Sequence, residues 1–178
     1  MRIAFSGTHR AGKTTLLEAV AGILPRHRTL AEPYHVLEEE GYEHADPPAL
    51  EDYEAQLEQS LSSLEEAGRD VLFDRSPLDV IAYALSHEDA DAFGLSDWME
   101  RVRDAVQTLD LVVFVPLEEP DRIPLPGHED KRLRRRVHKM LERIWLDDSY
   151  GLEPEVLMVE GDPARRLEQV RRALLTAR

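Results

Sequence analysis

The sequence predicts an α/β fold in which a mainly parallel, five-stranded sheet is flanked by helices. Short apolar runs of strand length alternate along the chain with stretches whose apolar residues recur every three or four positions. The run at 111–115 reads LVVFV, which is typical of a strand buried on both faces. Strands that are separated by helices over the whole length favour parallel pairing.

The apolar patterns place each element in turn. The strands are predicted at 3–5, 28–31, 71–73, 111–115 and 155–159. The helices are predicted at about 13–23, 50–67, from 77, 96–106, 131–144 and 163–177. Ser76, Pro77 and Asp79 form the cap, first-position proline and third-position acid of a helix N-terminus. No internal repeat or low-complexity linker divides the chain, so a single domain over 1–178 is expected.

Composition excludes several classes of protein. The 22 basic and 36 acidic residues give a net charge of −14, which would repel nucleic acids and anionic membranes. The chain has no cysteine, so disulfides, zinc-thiolate sites and cysteine nucleophiles are absent. No apolar run approaches the ~20 residues of a membrane span, and no apolar signal segment opens the chain. A soluble, cytoplasmic protein without nucleic acid as its partner is expected.

The strongest motif is GTHRAGKT at residues 7–14, which matches the G-x-x-x-x-G-K-[S/T] pattern at every required position. It follows a predicted strand and opens a helix, which is the context that this phosphate-binding loop needs. Glycines allow backbone amides to surround a phosphate, a lysine reaches the β- and γ-phosphates, and a hydroxyl ligates Mg²⁺. The motif predicts a P-loop NTPase fold that binds ATP and Mg²⁺. The nucleotide-binding candidates are Gly7, His9, Arg10, Ala11, Gly12, Lys13, Thr14 and Thr15.

Two absences narrow the class of P-loop protein. A GTPase reads guanine with an Asn-Lys-x-Asp segment, and this chain contains no asparagine. A remodelling ATPase would be longer, with acidic pairs ending its Walker B strand and a sensor domain behind it. A small kinase fits the 178 residues best.

Two acidic turns follow predicted strands and would meet the phosphate loop at one edge of the sheet. Asp74 and Arg75 come directly after the third strand, where Asp74 can hold Mg²⁺ and Arg75 can neutralise the transferring phosphoryl group. Glu32, which precedes Pro33, follows the second strand and can accept the proton of an attacking hydroxyl. The alternatives are a structural Asp–Arg pair and an exposed glutamate in an acidic chain.

These segments resemble the ordered landmarks of the deoxynucleoside kinases: GTHRAGKTT from Gly7, AEPYHVL around Glu32, and DRSPLDVIAY from Asp74. The resemblance implies that Glu32 is the base for a 5′-hydroxyl and that Asp74 stands where the family has glutamate. Residues 161–170 are more similar to predicted ATPases of the nicotinamide riboside kinase type, called NadR-like. Gly161, Asp162 and Pro163 would lie beside the adenine, or form a plain strand-to-helix turn.

The region where a P-loop kinase docks its acceptor is strongly acidic. Residues 29–68 carry twelve acids and no lysine or arginine. An already phosphorylated acceptor would require arginine there, so a neutral or cationic acceptor is expected, such as a nucleoside, nicotinamide riboside or an amino sugar. Arg75, Arg101 or Arg103 could still fold back into the region. Several side chains could stack on a ring or read a base edge, although ordinary partial burial or surface placement explains any single one better: Tyr34, His35, Tyr42, His44, Tyr53, Gln56 and Gln59.

Residues 131–143 form a basic amphipathic helix with seven basic residues and one acid. Its apolar face comprises Leu133, Val137, Met140, Leu141 and Ile144. A basic helix after a proline-rich stretch resembles a kinase lid, predicted at about 117–146, with Arg132 and Arg136 closing over the phosphates. The alternatives are a solvated helix or a patch for RNA or an acidic protein.

Together these features predict a kinase that transfers the γ-phosphoryl group of ATP to a hydroxyl of a small, non-phosphorylated acceptor, bound by helices at about 33–68. The candidate catalytic residues are Lys13, Glu32, Asp74, Arg75, Arg132 and Arg136, and the candidate metal ligands are Thr14 and Asp74. A deoxynucleoside or nucleoside is the first acceptor and nicotinamide riboside the second. The rival is a nucleotide-dependent switch that gates a partner through its basic helix. The sequence is also compatible with a homodimer.

Overall fold

The computed structural model, which describes residues 1–118 and 130–176, contains one five-stranded sheet. All its pairings are parallel, and the strand order is β2-β3-β1-β4-β5. The strands are β1 (Arg2–Ser6), β2 (Arg28–Leu30), β3 (Val71–Asp74), β4 (Leu111–Phe114) and β5 (Val156–Met158). The predicted parallel five-stranded sheet is therefore confirmed.

Helices follow every strand. They are α1 (Lys13–Ile23), α2 (Pro33–Glu39), α3 (Leu50–Glu66), α4 (Pro77–Ala84), α5 (Leu95–Val106), α6 (Lys131–Trp145) and α7 (Pro163–Thr176), with a 3₁₀ turn at Ala90–Ala92. The apolar pattern predicted α3 but gave no separate bounds for α2, because seven residues make only about two turns, too few for a helical period to repeat. The prediction of α7 ends at Ala177, which lies outside the described residues.

The sheet is covered on both faces, as the apolar run of β4 predicts. Along β1, Ala4 faces the layer of α3, α4, α5 and α6, whereas Ile3 and Phe5 face the layer of α1 and α7. Along β4, Val112 and Phe114 alternate with Leu111 and Val113 in the same way. Strands buried on both faces need apolar residues at every position, which is why these segments show no polar alternation.

The parallel sheet gathers the candidate residues at one edge. The phosphate loop follows β1, Glu32 follows β2, Asp74 ends β3, and Gly161 follows β5. Carboxyl ends of parallel strands lie on the same side, which is where open α/β sheets bind their ligands.

The basic helix α6 packs on the sheet through the predicted apolar face, of which Val137, Leu141 and Ile144 are fully buried. The rest of the proposed lid, residues 119–129, lies outside the described residues. None of the helices that the structure describes is long and apolar enough to cross a membrane.

Candidate active site

The motif residues form the loop between β1 and α1, and two glycines give its backbone the positive φ angles that it needs. Gly7 has a φ of 149° and Gly12 a φ of 90°. A Cβ atom on Gly7 would lie 2.5 Å from the carbonyl oxygen of Val115, just after β4. Both the backbone conformation and the space therefore exclude a side chain at Gly7.

Two buried arginines hold the carbonyl side of the loop. Arg134 of α6 donates from Nε to the His9 carbonyl and from Nη2 to the Arg10 carbonyl, both at 3.0 Å. Arg166 of α7 donates from Nη1 to the Ala11 carbonyl at 2.7 Å. A trans peptide directs its N–H away from its C=O, so anchoring these carbonyls turns the amides that follow toward the other side of the loop. That orientation suits an anion.

Lys13 is a buried cation with incomplete compensation. Its side chain is 5 % exposed and its Nζ donates to the Thr8 carbonyl at 3.1 Å. Burial, reinforced by the charge of Arg75, lowers the pKa of Lys13 to about 8, although nearby carboxylates oppose the shift. A phosphate group in the loop would supply the missing negative charge.

Thr14 and Asp74 lie together beside the loop. The Thr14 hydroxyl donates to Asp74 Oδ2 at 2.6 Å. The other carboxylate oxygen, Oδ1, is buried and has no hydrogen-bond partner among residues 1–118 and 130–176. A hydroxyl oxygen and an unsatisfied carboxylate oxygen are hard donors of the kind that Mg²⁺ prefers, so these residues fit that ion.

Glu32 and Arg75 form an ion pair across the ends of β2 and β3. Arg75 Nε lies 2.5 Å from Glu32 Oε1. Burial raises the pKa of Glu32, but the charges of Arg75 and Lys13 outweigh it and leave that pKa below its ordinary value. Arg75 has a φ of 81°, which is strained for a side-chain-bearing residue, and its guanidinium lies 4.9 Å from the ring centre of Tyr83.

Tyr83 joins this ion pair to the phosphate loop. Its hydroxyl accepts a hydrogen bond from the His9 amide at 2.8 Å and lies 2.8 Å from His9 Nδ1. Its ring stacks on Tyr53, with the centroids 6.0 Å apart. These contacts surround a cavity of about 160 Å³, lined by His9, Glu32, Tyr34, Pro48, Tyr53, Gln56, Arg75, Val80 and Tyr83.

Of the residues that the sequence suggested for binding a ring or a base edge, some line the cavity and others do not. Tyr34, Tyr53 and Gln56 line it, whereas Tyr42, His44 and Gln59 do not. His44 instead stacks on Tyr34 at 4.0 Å, and Tyr42 donates to Asp52 at 3.1 Å. His44 and Tyr42 therefore stabilise the loop between α2 and α3.

The arginines that could fold back toward the acceptor differ in their positions and in their ion pairs. Arg75 lines it, as a folded-back cation would, but its charge is paired with Glu32. Arg101 pairs with Glu58 and Glu65 on the exposed surface. Arg75 and Arg101 are therefore both paired, and Arg103 is not among the residues that line the cavity. None of the three offers an unpaired cation in the cavity to an acceptor that already carries a phosphate.

The arginines of α6 lie in two environments, one buried against the phosphate loop and one exposed. Arg134 is 2 % exposed and contacts the phosphate loop. Arg132 and Arg136 are exposed and line an open cavity of about 620 Å³ between α6 and the end of α4. Arg136 donates to the Ser86 carbonyl at 3.0 Å. Their proposed contact with phosphates stays a prediction.

The Gly161-Asp162-Pro163 turn lies at the β5 side of the loop. The Gly161 amide donates to Glu118 Oε1 at 2.5 Å, and the same oxygen lies 3.1 Å from Arg166 Nη2. Arg166 also holds the Ala11 carbonyl, so the turn is connected to the phosphate loop through the side chains of Glu118 and Arg166. Asp162 caps α7 by accepting from the Arg165 amide.

Sequence reasoning did not single out Tyr83 and Arg166 and did not choose Arg134 as a phosphate-loop contact. The helical spacing of Arg134 and of Tyr83 indicates the face of its helix on which each residue lies. Arg134 stands three and seven residues before Val137 and Leu141, on the buried side of α6. Tyr83 follows Asp79 by four residues, so both lie on the face of α4 that contacts the loop.

Comparison with known proteins gives the family and the fold of the chain. The sequence matches the AAA domain family, AAA_28, over residues 2–166, and the chain belongs to that family. No curated protein gives a significant match. The family description names a domain and no reaction.

Solved P-loop kinases share the fold. Deoxyadenosine kinase from M. mycoides with bound dATP has a TM-score of 0.71 at 18 % identity, covering 98 % of this chain and 99 % of that one. Thymidylate kinase from Candida albicans has a TM-score of 0.67 at 15 % identity, covering 98 % and 91 %. NadR in complex with NAD and AMP-PNP has a TM-score of 0.67 at 17 % identity, covering 96 % of this chain and 48 % of NadR. The predicted P-loop fold is confirmed.

The pKa of Lys13 gives a test of the site. Folding lowers that pKa from its ordinary 10.5 to about 8, so the unfolded chain binds the extra proton between these values. The Lys13 contribution to the free energy of unfolding therefore rises with pH from about 8 to 10.5. Chemical denaturation across this range should give a steeper rise for the wild type than for Lys13→Met, with exposed Lys131→Met as the control.

A direct titration completes the test. The chain has three lysines, so NMR of ¹³C-methylated lysines can resolve Lys13. We expect a midpoint near 8 without nucleotide and a higher midpoint with MgADP. An ordinary midpoint for Lys13, or equal pH slopes for the wild type and Lys13→Met, would contradict the buried, uncompensated ammonium.

Proposed function

We propose that this chain is an ATP-dependent kinase that phosphorylates a hydroxyl of a small, non-phosphorylated acceptor, with a nucleoside or deoxynucleoside as the first choice. The observation that carries the proposal is the cavity of about 160 Å³, which joins the Glu32–Arg75 pair to His9 of the phosphate loop. A bound triphosphate and an acceptor would thus be neighbours.

The donor half rests on the phosphate loop. The loop from Gly7 to Thr15 and the ammonium of Lys13 would bind the β- and γ-phosphates. Thr14 and Asp74 would hold Mg²⁺, which when bound neutralises charge on the phosphate oxygens. The Gly161-Asp162-Pro163 turn follows β5, on the opposite side of β1 from the strands that precede Glu32 and Arg75, which supports it as the adenine side.

The acceptor half rests on two side chains with complementary roles. Glu32 is ionised at neutral pH because its pKa is depressed, so its carboxylate can orient the attacking hydroxyl and take its proton. Arg75 keeps its charge, because the acids around it raise its pKa despite burial. It would stabilise negative charge on the transferring group.

The walls of the cavity support a ring-bearing acceptor. Tyr34 and Tyr53 line it with aromatic rings, and Gln56 adds a side-chain amide that could read a base edge. Among the described residues, Arg75 is the only arginine in the lining, and it is already paired with Glu32. A neutral nucleoside fits these walls, and cationic nicotinamide riboside is the second acceptor because tyrosine faces attract cations.

A second candidate function has an observation of its own. Arg132, Arg135, Lys139 and Arg143 of α6 are exposed, and of the described acids Asp130 lies close enough to Arg132 to interact with its charge. A nucleotide-dependent switch could use that surface to hold an acidic partner, whereas a kinase would use Arg132 and Arg136 as lid residues.

The main test is ADP release from MgATP across nucleosides, deoxynucleosides, nicotinamide riboside and amino sugars. We expect at least one acceptor to raise turnover well above the acceptor-free rate. Glu32→Gln should lower kcat by about 10²–10⁴, because the amide cannot take the proton of the attacking hydroxyl. MgADP affinity should stay within about twofold, because the change lies in the acceptor cavity. Glu39→Gln, an exposed residue at the other end of α2, is the matched control. Turnover that no acceptor raises would exclude the kinase.

The basic helix separates the two functions. Arg132→Ala/Arg136→Ala should lower kcat by about tenfold or more through lost charge stabilisation. Lys131→Ala/Arg135→Ala removes the same charge at the same spacing and should leave kcat unchanged. Equal kcat in both double variants, with loss of a protein or RNA partner in pull-down assays, would favour the switch.

A further inference from the structure

Asp79 is a buried carboxylate to which neither the phosphate loop motif nor the acceptor cavity assigns a role. It is the third residue of α4 and is fully buried. Burial raises its pKa, and the charge of Arg75 and two backbone amides act against that rise. A buried charge is stable only when several donors surround it, so the identity of its donors is informative.

The donors of Asp79 come from two different loops. Oδ1 accepts from the Gly7 amide at 2.8 Å and from the Ser6 hydroxyl at 2.9 Å. Oδ2 accepts from the amide and the hydroxyl of Ser76, both at 2.9 Å. One rigid carboxylate therefore fixes the entry of the phosphate loop relative to the Asp74-Arg75-Ser76 turn.

The network continues to α6 through Ser6. The indole Nε1 of Trp145, at the end of α6, donates to the Ser6 hydroxyl at 2.6 Å. All of these groups are buried. A buried chain of hydrogen bonds thus runs from Trp145 through Ser6 to Asp79 and the first amide of the loop.

Helix capping alone does not explain this arrangement. Asp52 is also the third residue of its helix, and it caps α3 with donors from Ala45, Ala49 and Tyr42. Its contacts stay within the α2–α3 region. Asp79 caps α4 with one oxygen only and devotes the other to the phosphate loop.

We propose that Asp79 is a positioning residue for the phosphate loop, and that Ser6 transmits the state of that loop to Trp145 of α6. The proposal rests on the proposed function only in that the loop must bind nucleotide. It concerns neither the acceptor nor its cavity.

The first experiment measures the affinity for MgADP by calorimetry in Asp79→Asn and Asp52→Asn. Asparagine offers one acceptor oxygen, so in Asp79→Asn either Gly7 or Ser76 faces an NH₂ group. We expect MgADP to bind about tenfold or more weakly to Asp79→Asn, the scale of one lost charged hydrogen bond. Asp52→Asn loses a comparable buried cap and should bind within about twofold of the wild type. Electrostatics alone predicts the opposite, because removing a negative charge near the phosphates would tighten binding.

The second experiment remains informative if Asp79→Asn does not fold. The chain has two tryptophans, so Trp98→Phe leaves Trp145 as the single fluorophore. We expect MgADP to change the emission of Trp145, and Ser6→Ala in the same background to abolish that change while MgADP still binds. Ser6→Ala keeps the bond between Asp79 and the Gly7 amide, so binding and transmission are separated.

The outcomes are distinguishable. A wild type that does not bind MgADP overturns the proposed function and this inference together. A wild type that binds, with Asp79→Asn binding equally well or more tightly, overturns the positioning role alone. A Trp145 response that survives Ser6→Ala overturns the transmission.

Discussion

The central position of β1 in a parallel sheet determines the layout of the site. β1 pairs with β3 on one side and with β4 on the other, so the loop that follows it has neighbours on both flanks. The β2–β3 flank contributes Glu32, Asp74 and Arg75, and the β5 flank contributes the turn at Gly161. A triphosphate bound to the central loop would therefore have the acceptor on its β2–β3 side and its own adenine on its β5 side.

The charge of the site is independent of the net charge of the chain. Lys13, Arg75, Arg134 and Arg166 are each at most 7 % exposed, and carbonyls or carboxylates surround them. Buried pairs of this kind interact much more strongly than exposed charges, which salt screens. Most of the acidic residues lie outside the site, and residues 29–68 carry eleven acids besides Glu32. An overall charge of −14 is thus compatible with binding polyphosphate.

The sequence predicted those features that local pattern encodes. The strands, most helices and the phosphate loop have periodic or fixed-spacing signatures, and the edge where Glu32 and Asp74 would lie follows from parallel topology. The sequence could not predict that Arg134 would contact the loop carbonyls of His9 and Arg10, because this contact joins residues more than 120 positions apart. The double hydrogen bonding of Asp79 depends on such tertiary geometry too, although its capping role was visible locally.

The most direct measurement uses a ligand that spans both halves of the site, an adenosine and a deoxyadenosine joined 5′ to 5′ by five phosphates. Adenosine 5′-pentaphosphate, which lacks the second nucleoside, is the matched reference. If the acceptor cavity adjoins the phosphate loop as described, calorimetry should show the spanning ligand binding about a hundredfold more tightly than the reference, because the second binding event becomes intramolecular. Equal affinity of the two ligands would contradict the account.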